Sequence, residues 1–449
     1  MIDALRQRLA GPEIARQLQA LAAGAPASAP LSLTLEIGHN ATSDWLAALP
    51  ASGPFWYQAQ PALGSFQLGI GHALQVSSAG PNRFAALDNA FAGLAGHWQY
   101  NALPSAFCGF AFAEQSPDLQ PNALPNALLA IPAILLESRA GHNLVTLTTP
   151  AGKIAQATAT WQSLLVPAKP PPGYRLLPTA DRTLADRAWI ARVHAALRAI
   201  AQQRLEKVVL TRKRLLQAAG PIPAVRLLDN LLRQQPDSLI YAHGNGSSVF
   251  LGATPERLVR LRAGRIEADA LAGTAWPGSP TLDAPKNRHE QSLVVAAIAA
   301  GLKKCCYGPL QTGQTDVLAA GEIQHLRTRV GGRAAAGITL FDLLRALHPT
   351  PAVGGFPAAA ALDWLAEHGE PRSGWYSGGF GSMTPDGDGE FSVALRSALI
   401  EGSRIELQAG AGIVAGSDPA QELAETEAKF GTLLAALAPP PALERSILG

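Results

Sequence analysis

The sequence predicts an α+β protein with large antiparallel β-sheets. Short runs of alternating apolar and polar residues, separated by turn residues, recur between about residues 31 and 165 and again from 389 to 416. Helical patterns lie among these runs, but strands and helices do not alternate in the regular order typical of a parallel sheet. Mixed runs of this kind favour antiparallel sheets that carry separate helices.

The N-terminal part begins with a predicted helix over residues 1–23, which "AAGAPASAP" then ends. The strands that follow include "LSLTLEI", "FWYQAQ", "GSFQLGIG" and "NLVTLTT", and "FAALDNAFAGLAGHW" predicts a helix among them. Three consecutive prolines in "PAKPPPGYR", residues 167–175, favour extended geometry and predict a linker. We therefore expect a β-rich subdomain over residues 1–175 and a second region over 176–449.

The second region mixes helices with strands. Predicted helices cover about residues 184–203, 222–234, 285–304, 340–347 and 419–437. The apolar run "VVL" after Lys207 predicts a buried strand, and a strand-rich stretch spans residues 239–272. Whether Lys207 is a solvated charge at a strand end or a group placed for chemistry is left open by this pattern.

Composition and charge exclude several classes of protein. Of the 449 residues 47% are hydrophobic and 16% charged, which suits a large core and argues against disorder. A formal net charge of +2 gives no reason to expect nucleic acid or a membrane as the main partner. The three cysteines include an adjacent pair and form no CxxC motif, so we expect free thiols, no zinc site and a cytoplasmic protein.

The last predicted helix carries a pair of carboxylates. Asp418 and Pro419 form a strong helix start, and Glu422, Glu425 and Lys429 then lie on one face. Two carboxylates one turn apart repel each other, and a magnesium ion would neutralise them, since it takes one or two protein carboxylates. The alternative is a solvated face with an ion pair between Glu425 and Lys429. Helix spacing alone favours this alternative.

Other candidate groups are dispersed along the chain. Glu256 lies in a turn between two predicted strands, where it would normally be solvated, but burial in a cavity would make it a general acid. His289 has charged neighbours and is expected at the surface. The glycine-rich stretches "WYSGGFG" and "AGAGIVAG" bring backbone close either to another strand or to a carboxylate ligand. Dinucleotide, P-loop and GxSxG motifs are missing from the sequence.

Nine segments, taken in order, resemble the chorismate-utilising enzymes. They are "LEKVVLTR", "FLGATPERL", "EADALAGT", "KNRHEQSLVV", "IQHLRTRV", "LHPTPAVGG", "WYSGGFG", "GEFSVALRSA" and "AGAGIVAGSDPAQELAETEAK". The resemblance covers about residues 184–437 and implies two large antiparallel sheets packed together with helices outside. Residues 176–449 would then be the chorismate-binding catalytic region. "FWYQAQ" and the strand pattern before it fit the menaquinone-type isochorismate synthases of this family.

The resemblance also implies roles for individual residues. Glu290 and Glu425 look like magnesium ligands for the ring carboxylate of chorismate, with Glu422 acting through water. Arg396 and Tyr376 look like the residues that grip the enolpyruvyl carboxylate, which suits an arginine fork. Other matching site positions are Gly410 to Gly412, Thr274, His325 and Lys429. Gln291 and Asn287 depart from some branches, and Asn287 could weaken the outer shell of the metal.

The residue at position 207 separates the branches of the family. Ammonia users that resemble anthranilate synthase carry Gln there, and aminodeoxychorismate synthases carry a Lys in place of Ala272. Lys207 with Ala272 is the combination of the enzymes that use water. The resemblance thus implies that Lys207 activates water for attack at C2, provided that burial or nearby positive charge favours its neutral form. Glu256 would protonate the departing C4 hydroxyl, giving isochorismate reversibly. Arg212 and Lys213 further along the strand are expected to be solvated.

The alternatives are a salicylate synthase, which also eliminates pyruvate, and a chorismate-binding protein without catalysis. "EADALAGT" and "IQHLRTRV" favour the isochorismate synthase, and every expected catalytic position is filled. We expect a monomer without a glutaminase subunit, since no segment remains for a glutaminase or lyase domain. The pathway that uses the isochorismate, whether for menaquinone, a siderophore or salicylate, is not visible in the sequence.

Overall fold

The computed structural model describes residues 2–9, 11–38, 45–115, 124–139, 141–166, 171–178, 181–276, 282, 284–321, 323–370 and 372–438. Its helices are α1 (Ile2–Leu9), α2 (Pro12–Leu21), α3 (Arg83–Ala95), α4 (Ile154–Leu164), α5 (Thr183–Ala201), α6 (Ala224–Gln234), α7 (Pro285–Lys303), α8 (Leu340–Leu347), α9 (Ala358–Glu367) and α10 (Pro419–Leu437). None of the described helices is long and apolar enough to span a membrane.

The strands up to the middle of the chain are β1 (Pro30–Ile37), β2 (Pro54–Gln60), β3 (Ser65–Ser78), β4 (Gln99–Tyr100), β5 (Ala106–Phe110), β6 (Ala127–Arg139), β7 (His142–Pro150), β8 (Arg175–Leu176), β9 (Lys207–Ala219), β10 (Leu239–Asn245), β11 (Val249–Thr254), β12 (Arg257–Arg262) and β13 (Arg265–Ala275). The others are β14 (Cys306–Thr312), β15 (Asp316–Ala320), β16 (Ile323–Ala334), β17 (Gly355–Phe356), β18 (Gly379–Met383), β19 (Gly389–Val393), β20 (Ser397–Glu401) and β21 (Arg404–Val414).

The strands form two large sheets that share β3 and β6. The first sheet has the order β4-β1-β7-β6-β3-β2-β10-β11-β20-β21-β9. The second continues from the first half of β6 through β5, β18, β19, β12, β13 and β16 to β14 and β15. Apart from the short β1–β4 contact, which is parallel, these pairings are antiparallel. The predicted α+β class is therefore confirmed.

The sheets separate at a β-bulge in the shared pair. The register between β3 and β6 shifts between His72 and Leu74, next to Gly71 in the left-handed region at a φ of 65°. A bulge bends its strand and increases the local twist. Beyond it, the first half of β6 turns away from β7 and pairs with β5 instead.

The two sheets face each other across a layer of aromatic side chains. Trp56 from the first sheet lies 5.4 Å from Phe380 and 5.6 Å from Phe107, both of which belong to the second sheet. The outer face of the first sheet buries Trp161 of α4, Leu227 of α6 and Phe430 of α10. Helices α3, α7 and α8 cover the second sheet in the same way. The layers thus run helix, sheet, sheet, helix, as predicted.

Strands from both sides of residue 175 belong to the same sheets. Strand β2 pairs with β10, and β5 pairs with β18. We propose that residues 1–175 form a β-rich subdomain of one fold, because their strands continue the sheets of the C-terminal region. Part of the predicted linker, residues 167–170, lies outside the described residues.

The predicted helix over residues 1–23 is wrong in one respect, since the structure has two helices there. Helix α1 ends at Leu9 and α2 begins at Pro12, with extended backbone at Gly11 between them. Proline lacks the N–H of a continuous helix and disfavours helical backbone in the residue before it. The break therefore follows from Pro12, which suits the first position of a new helix.

Candidate active site

A cleft with an empty volume of about 670 Å³ opens where β9, β13, β16 and β21 approach α7 and α10. Its lining includes the predicted positions Lys207, Glu256, Thr274, Glu290, His325, Tyr376, Arg396, Gly410, Gly412, Glu425 and Lys429. These residues are spread over more than 200 positions of the chain, and the two sheets bring them together. Glu422 is the predicted residue that does not line the cleft.

Lys207 is a buried cation at the bottom of this cleft. It is the first residue of β9, is 0% exposed, and lies opposite Phe356 on one side and Val414 on the other. Its Nζ lies 2.8 Å from Glu290 Oε1, but the two groups are not aligned for a hydrogen bond, and Nζ makes no hydrogen bond to any other described residue. A lysine that is fully buried is rarely a mere strand-end charge. The structure therefore excludes the solvated alternative for Lys207.

Gly412 provides the space for this ion pair. A Cβ atom at Gly412 would lie 2.6 Å from Glu290 Oε1 and 2.9 Å from Lys207 Cε. Strand β21 carries Gly412 opposite Val209 of β9, so the lysine side chain passes directly across the bare backbone. This close packing explains why position 412 is a glycine, although its backbone does not have a positive φ.

Glu256 is a buried carboxyl group on the second sheet side of the cleft. It follows β11, its N–H donates to Thr254 Oγ1 at 3.3 Å, and it is 4% exposed. Burial raises the pKa of Glu256 to about 8, although the positive charge of Lys207 acts in the opposite direction. At neutral pH this carboxyl group is mostly protonated, which is the form that a general acid requires.

A row of polar side chains forms the opposite wall. Arg396, which has a φ of 48°, donates from Nη2 to Nε2 of His325 at 3.0 Å. Burial, helped by the charge of Arg396, lowers the pKa of His325 to about 3. Because arginine only donates, Nε2 is the acceptor and Nδ1 carries the proton, facing the carbonyl of Gly273 at 3.2 Å. The neutral histidine thus binds Arg396 without adding a charge of its own.

Tyr376 lies close to Arg396 on this wall. It is 3% exposed, and burial raises the pKa of its hydroxyl, so the phenol stays protonated. A Cβ atom at Gly410 would lie 3.0 Å from this hydroxyl, which places Tyr376 directly over the bare backbone of β21. Thr274 Oγ1 is 3.3 Å from Nδ1 of His325. Together these groups can hold a small anion through a guanidinium and hydroxyl donors.

Three acidic side chains meet near the other end of the cleft, and each is paired with a lysine. Glu290 pairs with Lys207, Glu425 with Lys429 at 2.6 Å, and Glu422 with Lys286 at 2.6 Å. Burial opposes the ionisation of Glu425, but its contact with Lys429 outweighs this and lowers the pKa. Burial and the charge of Glu425 raise the pKa of Glu422.

The donor set of this region suits magnesium, which binds carboxylate oxygens and completes its shell with ligand oxygens and water. Glu290 and Glu425 line the cleft, whereas Glu422 is 1% exposed and held by Lys286. The described part of the chain contains no group of three or more His, Cys, Asp or Glu arranged to hold a metal. Two carboxylates that face the cleft are, however, as many as a magnesium ion usually takes from a protein.

Some functional neighbours were missed in the sequence, and one prediction was wrong. Lys286 precedes Glu290 by four residues in "KNRHE", and this helical spacing was the available signal for a cation near the acids. Arg212 is not solvated. It is 7% exposed and binds Asp186, Thr426 and Glu427, because its strand runs beneath α5 and α10. Lys213 and His289 are exposed, as predicted.

Comparisons with known proteins give a consistent result. The sequence profile of the family described as chorismate binding enzyme matches residues 16–438. The salicylate biosynthesis isochorismate synthase of Pseudomonas aeruginosa is 35% identical over 413 residues, which cover 86% of this chain and 85% of that protein. The isochorismate synthase MenF of Bacillus subtilis is 34% identical over 259 residues, about half of each protein (56% and 55%).

A solved structure has the same fold. MenF, the menaquinone-specific isochorismate synthase from Escherichia coli, superposes with a TM-score of 0.78 at 26% identity. The superposition covers 94% of this chain and 98% of that one. Both sheets and the cleft between them are therefore included in the likeness.

Proposed function

The chain belongs to the chorismate-binding enzyme family, and we propose that it catalyses the reversible isomerisation of chorismate to isochorismate. It is an isomerase that adds water at C2 of the ring and releases the hydroxyl from C4. One observation carries this assignment: a buried lysine and a buried, protonated carboxyl group face the same cleft. The relatives at 34–35% identity are named isochorismate synthases, which supports the same reaction.

One end of the cleft binds the enolpyruvyl carboxylate of the substrate. Arg396 and Tyr376, with the backbone of Gly410, bind the enolpyruvyl carboxylate, because a guanidinium fork and a phenol hydroxyl donate to carboxylate oxygens. The neutral form of His325 supports this arrangement, since its Nε2 can accept from Arg396, which a protonated imidazole could not do. Thr274 and Lys429 complete the lining.

Lys207 is the general base. Its neutral amine takes a proton from water as the oxygen attacks C2, and the double bonds of the ring shift towards C4. Its Nζ lies 2.8 Å from Glu290 Oε1, so a ligand that engages Glu290 would compete with this ion pair and release the side chain of Lys207. Among the residues that the structure describes, Nζ makes no hydrogen bond, which fits a group that faces substrate and water.

Glu256 is the general acid. Its proton passes to the C4 hydroxyl, which leaves as water while Lys207 retains the proton gained at C2. The raised pKa of about 8 keeps the proton on Glu256 at neutral pH. Lys207 has then gained one proton and Glu256 has lost one, so a proton passes from Lys207 back to Glu256 before the next turnover. The balance of atoms is that of an isomerisation.

Glu290 and Glu425 would hold a magnesium ion, and Glu422 would act from outside through water. When bound, magnesium supplies positive charge that neutralises the ring carboxylate of chorismate. The carboxylates of Glu290 and Glu425 line the cleft, as this role requires. Their lysine partners keep the buried acids paired with opposite charge.

The experiment is an incubation of purified protein with chorismate, with magnesium or with EDTA, followed by chromatography of the products. We expect a magnesium-dependent mixture of chorismate and isochorismate without pyruvate. Accumulation of salicylate and pyruvate would make the protein a salicylate synthase, an alternative worth testing because the name of the Pseudomonas relative includes salicylate biosynthesis. Chorismate returned unchanged would contradict the proposed function.

We also propose that the protein acts as a monomer in the cytoplasm, with water as the nucleophile and without a glutaminase subunit. Lys207 supports the use of water, since ammonia users of the resembling branches carry Gln at this position. Menaquinone and siderophore biosynthesis are the pathways we propose for its product. The similarity to the menaquinone-specific isochorismate synthase of E. coli supports the first.

A further inference from the structure

Strand β9, which carries Lys207, has one edge that is completed by side chains instead of a strand. Its other edge pairs with β21 along the whole length of β9 up to Gln217. The edge in question pairs with β17 at Lys207 and Val208, and with β8 only at Ala218 and Ala219. Between these points, the carbonyl of Gly354 accepts from the N–H of Val209 at 3.0 Å. No further strand of the described residues pairs with this stretch of the edge.

Glu370 and Arg192 together satisfy the backbone of Thr211 on this edge. Glu370 Oε2 accepts from the N–H of Thr211 at 2.8 Å and from its hydroxyl at 3.0 Å. Arg192 donates from Nη2 to the carbonyl of Thr211 at 2.8 Å and from Nη1 to Glu370 Oε1 at 2.7 Å. Glu370 therefore bonds both to Arg192 and to Thr211, and its side chain is only 2% exposed. A buried carboxylate with three donors is well satisfied and resists displacement.

The segment after Glu370 is attached to the same strands. Arg372 donates from Nη2 to the carbonyl of Val209 at 3.1 Å. The backbone N–H and carbonyl of Ser373 bond to the side chain of Gln408 on β21, at 3.1 Å each. The N–H of Tyr376 then donates to the carbonyl of Ser373 at 3.2 Å. The segment that carries the tyrosine of the cleft is therefore attached to β9 and β21 shortly after the attachment of Glu370 to Thr211.

The attachment at Thr211 and the position of the Tyr376 hydroxyl converge on one residue. Thr211 lies opposite Gly410 in the β9–β21 register. A Cβ atom at Gly410 would be 3.0 Å from the Tyr376 hydroxyl and 3.5 Å from Thr211 Cγ2. Glu370 thus binds β9 at Thr211, and the Tyr376 hydroxyl lies beside Gly410, the residue of β21 that pairs with Thr211.

We propose that Glu370, together with Arg192, is a positioning residue that fixes Tyr376 for binding the enolpyruvyl carboxylate of the substrate. The inference rests on the proposed function, because it names what the hydroxyl of Tyr376 is positioned for. Glu370 itself does not line the cleft and acts through the segment from Arg372 to Tyr376. Loss of this attachment should weaken substrate binding more than it slows the chemical step.

The test is the substitution Glu370→Gln, with kcat and KM for chorismate measured separately. An amide has one acceptor oxygen, which can keep the bonds from Thr211 or the bond from Arg192 but not both, so the attachment is weakened while the side-chain size is kept. We expect KM to rise by about tenfold or more while kcat changes by less than about threefold. The substitution Glu137→Gln is the control, since Glu137 is a buried carboxylate at 1% exposure that binds Gln67 and does not line the cleft.

A double-mutant cycle with Tyr376→Phe distinguishes positioning from general stability. If Glu370 acts through the Tyr376 hydroxyl, Glu370→Gln should raise KM little further in a protein that already has Phe at this position. Additive effects of the two substitutions on KM would overturn the proposal. So would a Glu370→Gln variant with a lowered unfolding temperature and an unchanged KM, which is the result we expect for the control Glu137→Gln. Wild-type protein that neither binds nor converts chorismate would instead overturn the proposed function and this role with it.

Discussion

Glu256 shows how one turn residue acquires its chemistry from burial. Its carboxyl group has a pKa of about 8, and removal from water is the main cause. The acid form is therefore present below this pH and is lost as the pH rises through it. In the proposed mechanism Glu256 is the proton donor at the C4 hydroxyl, so its pKa would set the alkaline limit of activity.

We predict that kcat falls as the pH rises above about 8, and that Glu256→Gln abolishes this dependence together with most activity. Glutamine cannot donate a proton, so kcat should drop by about a hundredfold to ten-thousandfold. Steady-state rates across a pH series measure both effects. A glutamine variant with the wild-type rate and the same alkaline limb would assign the acid to another group.

Lys207→Ala tests the base at the other side of the cleft. We predict that kcat falls by about a hundredfold or more, because the proposed mechanism makes Lys207 the group that takes the proton from the attacking water. Chorismate binding, measured by calorimetry, should persist, since Arg396 and Tyr376 remain. Lys303→Ala at the exposed end of α7 is the control. A variant that retains its rate would contradict the assignment.

For individual residues, the sequence predicted which ones line the cleft but not which side chains pair with each other. Lys207, Glu256 and Glu290 were found because the segments that contain them resemble a known family. The contacts of Lys286 with Glu422 and of Arg192 with Glu370 join residues 136 and 178 positions apart. No local pattern encodes such a pair, because the partners meet only after the strands have assembled.

Gly412 illustrates how an element positions the site. The substitution Gly412→Ala would place a methyl group 2.6 Å from Glu290 Oε1 and 2.9 Å from Lys207 Cε. Lys207 is fully buried, which limits its movement, so Glu290 Oε1 would have to move away and the ion pair would be disturbed. We predict a loss of kcat of about tenfold or more with a folded protein, because the backbone of β21 remains compatible with alanine.

Circular dichroism and rate measurements on Gly412→Ala check this prediction. Gly93→Ala is the matched control, since a Cβ atom there would meet nothing within 4 Å. Full activity of the Gly412 variant would mean that the ion pair has more room than its geometry indicates.

Elements with a strong pattern were predicted well, and weakly patterned ones were missed. Helices α8 and α10 have the predicted bounds, and the side chain of Asp418 caps α10 by accepting from Ala420 and Gln421. Helix α4 was missed, because "IAQATATWQSL" is rich in Ala, Thr and Gln and buries little besides Trp161. Helix α9 begins after Pro357 with four alanines, which give no apolar periodicity.

The whole molecule explains why the site lies where it does. The sharing of β3 and β6 allows two sheets to face each other, and the cleft opens where β9 and β21 of one approach β13 and β16 of the other. The sequence predicted large antiparallel sheets from alternating runs. The order of their strands depends on contacts between distant segments, such as β2 with β10, that alternation does not specify.

Removal of metal is the prediction at this scale. Each acid of the proposed magnesium site has a lysine partner, so the described protein holds these carboxylates without relying on a metal charge. We predict that EDTA abolishes turnover but shifts the unfolding temperature by less than about 2 °C. Thermal unfolding and activity are measured on the same sample, and magnesium is then restored. A large loss of stability would show that the metal supports the fold.

The central claim is that water adds at C2 while the C4 hydroxyl leaves, with Lys207 as the base. The most direct measurement is a turnover in water labelled with the heavy oxygen isotope, followed by mass spectrometry of isochorismate. We predict that isochorismate carries one labelled oxygen, at C2, and that the Lys207→Ala variant forms no labelled isochorismate. Unlabelled isochorismate would mean that the original hydroxyl moves within the molecule, and would contradict the account.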